Sequence, residues 1–223
     1  MSDSGDSNVT KYETIDERLL NRVIFFTDAV FAIVMTLMIL DLRPPTFTSP
    51  AGNQDALQSM VSHFFALIMS FLVIAVFWIA HLATTRRLRR FDWLTAVANL
   101  VFMFPVCLIP FATAWWGRDL NAPFPWGMYC GIMMASSLGN LALVLAVTRD
   151  RGRLMGGITG RERLYRAARA ISPGVAFGAG MVLLFIGHLH LSQFSFVLIP
   201  VQIIVYGRLL KPKPKPAQAS RLA

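Results

Sequence analysis

The sequence predicts an all-α, polytopic membrane protein with six transmembrane helices and both termini cytoplasmic. Three observations carry this. Of the 223 residues, 55% are hydrophobic and 15% charged, and the mean hydropathy is +0.55, which is not the composition of a soluble domain. Six stretches approach the roughly 20 apolar residues that a spanning helix needs, at about 20–43, 57–81, 92–115, 126–148, 168–187 and 192–210. They consume most of the chain and leave no room for a soluble catalytic domain. Finally, the cations partition. With six helices, all of the 21 Lys and Arg except Arg43 and Arg118 fall on the side of the termini and of the second and fourth loops. Loops rich in Lys and Arg stay in the cytoplasm, and an odd number of helices would spoil the partition.

Along the chain, residues 1–17 are polar and acidic and are expected to form a mobile cytoplasmic N-terminus. They do not read as a secretory signal, because the apolar run that follows is too long and lacks a small-residue cleavage site. Residues 18–210 are expected to form the six-helix domain. Its first helix opens with Arg22, Phe26, Thr27 and Asp28, and from Val23 to Leu40 Asp28 is the sole charged side chain. A carboxylate near the centre of a spanning helix costs roughly 2.5–3.5 kcal/mol on insertion scales. Such groups face protein or water, and they mark ion pathways or structural networks. At about 100° per residue, Phe26, Ala29, Ile33, Leu37 and Leu40 form one stripe with Thr36 at its margin, and Asp28 points roughly 140° from the Ile33 direction. By periodicity alone, the usual fate of such a stripe is to face lipid or a neighbouring helix.

The partners of Asp28 are sought by depth. Measured from Arg22, Asp28 lies roughly 9 Å into the first helix; His81 lies about 7.5 Å from Arg86 on the second, and Asn99 roughly 10 Å beyond Asp92 on the third. These three groups share a layer, with Trp78 one turn deeper on the His81 face, and one hydrogen-bonded cluster is expected. Two readings follow: a clamp that pins the first helix against the next two, which is favoured, or a proton relay between Asp28 and His81.

On the fourth segment Gly127, Gly131, Ala135 and Gly139 recur every fourth residue, a small-residue ridge that allows close backbone approach. On the fifth, Pro173 should kink or start a short helix that ends at Gly187, with Gly174 and Gly178 as a second close-packing pair. His188 and His190 fall in the hairpin before the sixth segment and read as solvated. Residues 211–223 form a basic, Pro-rich cytoplasmic tail with Lys211, Lys213 and Lys215 alternating with proline, suited to lie along anionic membrane lipids. The net charge of +9 is explained by topology and lipid attraction, and no nucleic acid is needed. Cys107 and Cys130, each alone in a segment, give no metal spacing and no case for a disulfide. Nucleophile, zinc-protease and phosphate-loop motifs are absent from the sequence, so no enzyme is expected.

Arg22-x-x-x-Phe26-Thr27-Asp28, continuing through Ala29, Ile33, Thr36 and Leu37, resembles the Arg-x-x-x-Phe-Ser-Asp signature of the transmembrane protein 175 family of potassium channels. Thr27 replaces the usual Ser and keeps the hydroxyl. Leu40-Asp41-Leu42 with the prolines that follow, Trp78-x-x-His81, Asn99, Pro105 and Pro110-Phe111 extend the resemblance over roughly residues 18–115; beyond that it rests on helix count. The resemblance implies a bacterial-type, single-repeat homotetramer in the cell (inner or plasma) membrane, passing K⁺ and other monovalent cations and needing no cofactor. It implies a leak-like pore lined by the first helix, with Ile33, Leu37 and Leu40 as a hydrophobic constriction and Thr36 as the polar pore residue beside it. Arg22, Phe26, Thr27, Asp28, Trp78, His81 and Asn99 would brace that helix. No TVGYG-type segment is present in the sequence to supply a carbonyl filter. The alternatives are a proton-coupled transporter or proton pathway using Asp28 and His81, for which an inverted repeat is expected and not seen, or a membrane-embedded structural protein without a pore.

Overall fold

The computed structural model of the chain describes residues 6–40, 42, 44 and 50–211, with the side chains of 6–14, 50, 51 and 151 outside that description. Among the described residues every regular element is helical, and six stretches are long and apolar enough to cross a membrane. The basic tail from residue 212 onward and most of the first loop lie outside the described residues.

The first helix, α1 (Asp6–Leu40), begins well before the apolar run and takes in most of the polar segment 1–17. The second, α2 (Pro50–Thr85), has 36 residues, roughly 54 Å at 1.5 Å per residue, which exceeds the ~30 Å hydrocarbon layer. The third span is broken in two, α3 (Trp93–Cys107) and α4 (Ile109–Arg118). Asp92 caps α3, its carboxylate accepting from the Thr95 amide at 3.0 Å. The break at Leu108 sits between Pro105 and Pro110, neither of which can donate a backbone bond, and the Leu108 amide falls back on the Pro105 carbonyl at 3.1 Å. The fourth span is α5 (Pro123–Val147).

The fifth span departs from the sequence expectation. Instead of a short helix started or kinked near Pro173, α6 runs from Gly160 to Phe185 with Pro173 inside it. Two physical reasons account for this. Thr159 caps the helix nine residues before the apolar stretch, its hydroxyl accepting from the Glu162 amide at 3.2 Å, and the arginines that follow are good helix formers whose charge lowers hydropathy without breaking the helix. Pro173, which has no N–H, is accommodated because the Ser137 hydroxyl of α5 stands beside the gap. It donates to the Ala170 carbonyl at 2.8 Å and accepts from the Gly174 amide at 2.9 Å. The sixth span also starts early and is segmented: α7 (Leu189–Gln193), a 3₁₀ turn over Phe194–Val197, and α8 (Leu198–Leu210).

In the bundle α5 is central, packed against α3, α4 and α6, while α8 lies on α6 and α1 lies against α2, α3 and α4. The core gathers Trp116, Trp126, Tyr129 and Phe177, with the Trp116 and Trp126 rings 4.7 Å apart. Its polar atoms are stitched: the hydroxyls of Thr113, Ser70 and Tyr129 link α4, α2 and α5 at 2.7 and 3.0 Å, and the Trp126 indole donates to Ser192. The small-residue ridge on α5 does not act as one face. Gly139 meets α3, where an added Cβ would lie 2.8 Å from the Phe102 Cα, whereas Gly127 faces Leu184 of α6 and Gly131 faces open space.

Gly139→Ala is therefore expected to lose about 1–3 kcal/mol of stability through overpacking against α3. Gly131→Ala should unfold with the parent. Thermal midpoints of the two variants in one detergent check this, and equal losses would mean that the close approach of α3 and α5 does not matter.

Candidate functional site

The site is built on the two faces of α1. One face, Thr27, Phe31, Val34 and Met38, is buried at spacings of four, three and four residues, the spacing of a helix seam. A second face, Phe26, Ile33, Leu37 and Leu40, turned by roughly 80–140° from Thr27, is exposed by 51, 55, 44 and 71%. Thr36 lies on the exposed face, and its hydroxyl is held by its own helix, at 2.9 Å from the Ala32 and Ile33 carbonyls. Of the apolar window of this span 22% is buried, against 56% for α5 and 17% for the sixth span, Leu189–Leu210. Among the described residues no other helix covers the large side chains of the stripe singled out in the sequence.

What holds α1 at this rotation is polar. The Asn99 amide of α3 donates to the Thr27 hydroxyl at 2.6 Å, and Thr27 in turn donates to the Val23 carbonyl at 2.9 Å. The other end of the same amide, Asn99 Oδ1, lies 3.0 Å from His81 Nε2 of α2. A carbonyl oxygen has no proton to give, so Nε2 is the donor and the chain runs in one direction, His81 to Asn99 to Thr27 to Val23. Separately, the Trp78 indole of α2 donates to Asp28 at 3.0 Å. Three inter-helix bonds therefore close a triangle: α2 to α1, α2 to α3, and α3 to α1.

This differs from the single cluster expected around Asp28. His81 and Asn99 meet Thr27, and Asp28 pairs with Trp78. The reason is rotational: α3 packs against the seam that contains Thr27, and the next residue, turned by about 100°, faces α2. The depth estimate aligned the layer correctly but carried no azimuth. Thr27 stood in the sequence as one letter of a motif; its place at the hub could have been found by asking which residue on the seam side of Asp28 carries a hydroxyl. Arg22 and Phe26 stand apart from the network, both exposed, and among the described residues Arg22 has no hydrogen-bond or ion-pair partner.

His81 is 1% exposed and lies between aromatic rings, 6.0 Å from both Phe31 and Phe102. Its Nδ1 has no partner. A second hydroxyl on α2, Thr85, donates to the His81 carbonyl at 3.0 Å, so the histidine backbone as well as one ring nitrogen is occupied. The arrangement positions a helix; it offers no nucleophile and no paired acid and base.

Comparison with known proteins adds five findings. Residues 22–110 match the family described as endosomal/lysosomal potassium channel TMEM175. A potassium channel of Streptomyces collinus is 30% identical over 192 residues, covering 84% of this chain and 88% of its own, and a potassium channel of Chamaesiphon minutus is 27% identical over 77 and 84%. The endosomal/lysosomal proton channel TMEM175 of Rattus norvegicus is 25% identical over 59% of this chain but only 26% of its own. The crystal structure of a lysosomal potassium-selective channel TMEM175 homolog from Chamaesiphon minutus superposes with a TM-score of 0.72 at 24% identity, over 85% of this chain and 98% of that one, which establishes the six-helix fold.

Replacing Asn99 by leucine, close to it in size, strands the His81 Nε2–H and unties α3 from α1. Asn99→Leu is expected to destabilise by about 1–2 kcal/mol, whereas Thr27→Ser, which keeps the hydroxyl, should lose less than half as much. Chemical or thermal unfolding of both variants in detergent checks the order.

Proposed function

The chain belongs to the TMEM175 family, a family of ion channels and not of enzymes, and from that premise we propose that it is a potassium-permeable, leak-like cation channel whose pore is lined by α1. It is a multi-pass membrane protein. The observation that carries the proposal is the division of α1 into a bonded face and an uncovered one. The uncovered face presents Ile33, Leu37 and Leu40 in register with the single hydroxyl of Thr36.

In this reading four copies surround an axis, each contributing its α1. Rings of Ile33, Leu37 and Leu40 make a hydrophobic constriction, which conducts when wetted and closes when it narrows enough to dewet. Thr36 supplies oxygen lone pairs beside the constriction, its proton being directed to the helix carbonyls. With neither a charged ring nor stacked carbonyls, K⁺ is preferred over Na⁺ weakly to moderately, and other monovalent cations pass. Thr27, Asp28, Trp78, His81 and Asn99 act at a distance, by setting the rotation at which α1 meets the axis. The cation-rich end faces the cytoplasm with both termini, in the cell membrane, against anionic lipids.

The Rattus norvegicus relative, named a proton channel, and the unpartnered, buried His81 Nδ1 favour a second reading, a proton pathway through Asp28 and His81. Against it stand the partners of the two groups. Asp28 is bonded to an indole N–H and His81 to an amide oxygen, and neither an indole nor an amide readily passes a proton on.

Two predictions separate the readings, both measured as flux into liposomes reconstituted with the purified chain. Ile33→Asn and Leu37→Asn should raise K⁺ flux or lower its preference over Na⁺, because a polar ring stays wet; unchanged flux in both would remove α1 from the pore. Asp28→Asn should leave any proton flux in place, and its abolition without loss of K⁺ flux would move the assignment to the proton pathway.

A further inference from the structure

Away from α1, at the cation-rich end of the bundle, α2, α5 and α6 enclose a pocket of about 220 Å³ that also takes in Lys211 at the end of α8. Its charges do not balance. Glu162 is its one acid, and Glu162 is already engaged by Arg87 and by Arg166, the latter at 3.0 Å. Arg166 is further tied to the Ala83 carbonyl at 3.1 Å. Among the described residues that leaves Arg169 and Lys211 without an acid. Arg169 donates to the Tyr165 hydroxyl at 3.4 Å and rests on that ring, its guanidinium carbon 5.7 Å from the centroid, and it belongs to Gly160–Phe185, a helix long and apolar enough to cross a membrane, where a cation without an acid is costly.

At the inner wall a further group is unsatisfied. Asn140, 1% exposed, lines the pocket with an Oδ1 that accepts from nothing. It stands seven residues before the end of α5, about 10 Å in at 1.5 Å per residue. Buried polar atoms without partners are rare and call for a donor. The remaining wall is mostly alkyl, Ala80, Ala83, Val144 and Ala170, with the Thr84 hydroxyl turned to the Ala80 carbonyl of its own helix at 3.0 Å. Two cations without an acid among the described residues, a buried acceptor in need of a donor and an apolar flank within one cavity describe a ligand that is an anion, carries a hydroxyl and has a hydrocarbon part.

We propose that this pocket binds the headgroup of an anionic phospholipid of the phosphatidylglycerol class, its phosphodiester held by Arg169 and Lys211 and a headgroup hydroxyl donating to Asn140. Position argues for a membrane lipid over a soluble phosphate. The cavity runs between spanning helices from the level of Arg87 inward, the depth range of a headgroup and the first methylenes of its chains. The inference does not depend on where the pore lies, since α1 contributes nothing to the cavity.

The test uses the purified full-length chain in a zwitterionic detergent, titrated with short-chain phosphatidylglycerol at fixed ionic strength and read by the thermal midpoint. Short-chain phosphatidylcholine and sn-glycerol 3-phosphate are run beside it. Phosphatidylglycerol alone should raise the midpoint saturably. Arg169→Gln and Lys211→Gln should each weaken its apparent affinity about tenfold, as expected for loss of a charge-assisted bond. Arg153→Gln removes the same charge from an exposed turn outside the pocket and should bind as the parent does. Lys211 ends α8 beyond the helix, so Lys211→Gln decides the matter even if Arg169→Gln does not fold. Equal weakening by Arg153→Gln would reduce the effect to diffuse surface charge and overturn the site. An equal rise with sn-glycerol 3-phosphate would make the ligand a soluble anion, and no difference between the two lipids would leave the pocket to water.

Discussion

The bond from the Asn99 amide to the Thr27 hydroxyl, 2.6 Å long between two buried side chains, sets the rotation of the first helix. In a membrane, apolar contacts between helices gain little over contacts with lipid, so a helix with one apolar face on the bundle and another apolar face exposed has no strong reason to prefer either. Polar bonds break that symmetry. Swapping the faces of α1 would bury Ile33 and Leu37 as readily as Phe31 and Val34, but it would leave Thr27, Asn99, His81, Asp28 and Trp78 with donors and acceptors in hydrocarbon. The closed triangle through α2 and α3 makes that penalty collective, since releasing α1 breaks two of its three sides at once.

The same device recurs through the bundle in a different form. Hydroxyls stand where the helices are least regular: Ser137 beside Pro173, Thr113 just after the Pro105–Pro110 break, and Ser192 in the segmented sixth span, where it accepts from Trp126 and donates to the Gly180 carbonyl at 2.7 Å. Prolines in spanning helices are tolerated when neighbouring side chains take up the freed backbone groups. Gly174 completes the Pro173 site, because a Cβ there would press to 2.9 Å of the Ser137 side chain that performs the repair. The irregular backbone and the hydroxyls are one design distributed over two helices.

This explains why some features were legible in the chain and others were not. Helix number, the exposure of the Ile33–Leu37–Leu40 stripe and the shared depth of Asp28, His81 and Asn99 follow from length, periodicity and rise, which are properties of one helix at a time. Pairings are properties of two. Depth could bring Asn99 level with α1 but could not choose between Thr27 and Asp28, since the choice depends on the azimuth at which α3 approaches. The early start of α6 was hidden for the opposite reason: Arg161, Arg163, Arg166 and Arg169 make the first turns look like a loop on a hydropathy scale, although Thr159 and Glu162 carry the local signal of a helix start. The ridge from Gly127 to Gly139 was visible as a pattern, yet its members face α6, open space and α3 in turn, which no spacing rule contains.

The polar fastening of α1 is confined to one end. Thr27 and Asp28 are bonded to the bundle, whereas the seam beyond them is held by Phe31, Val34 and Met38 through dispersion alone, apart from a weak contact of 3.9 Å between the Thr113 hydroxyl and the Met38 sulfur. Mechanically this is a lever with a stiff pivot and a compliant arm. Thirteen residues separate Thr27 from Leu40, an arm of about 20 Å, so a tilt of about 6° about the pivot carries Leu40 sideways by about 2 Å while Thr27 stays in place. Ile33, nearer the pivot, moves by less than half of that. The outer residues of the stripe can thus be displaced without breaking the bonds at Thr27 and Asp28, and the resistance to such a swing is set by the Met38 end, by its packing against α4 and its weak contact with the Thr113 hydroxyl.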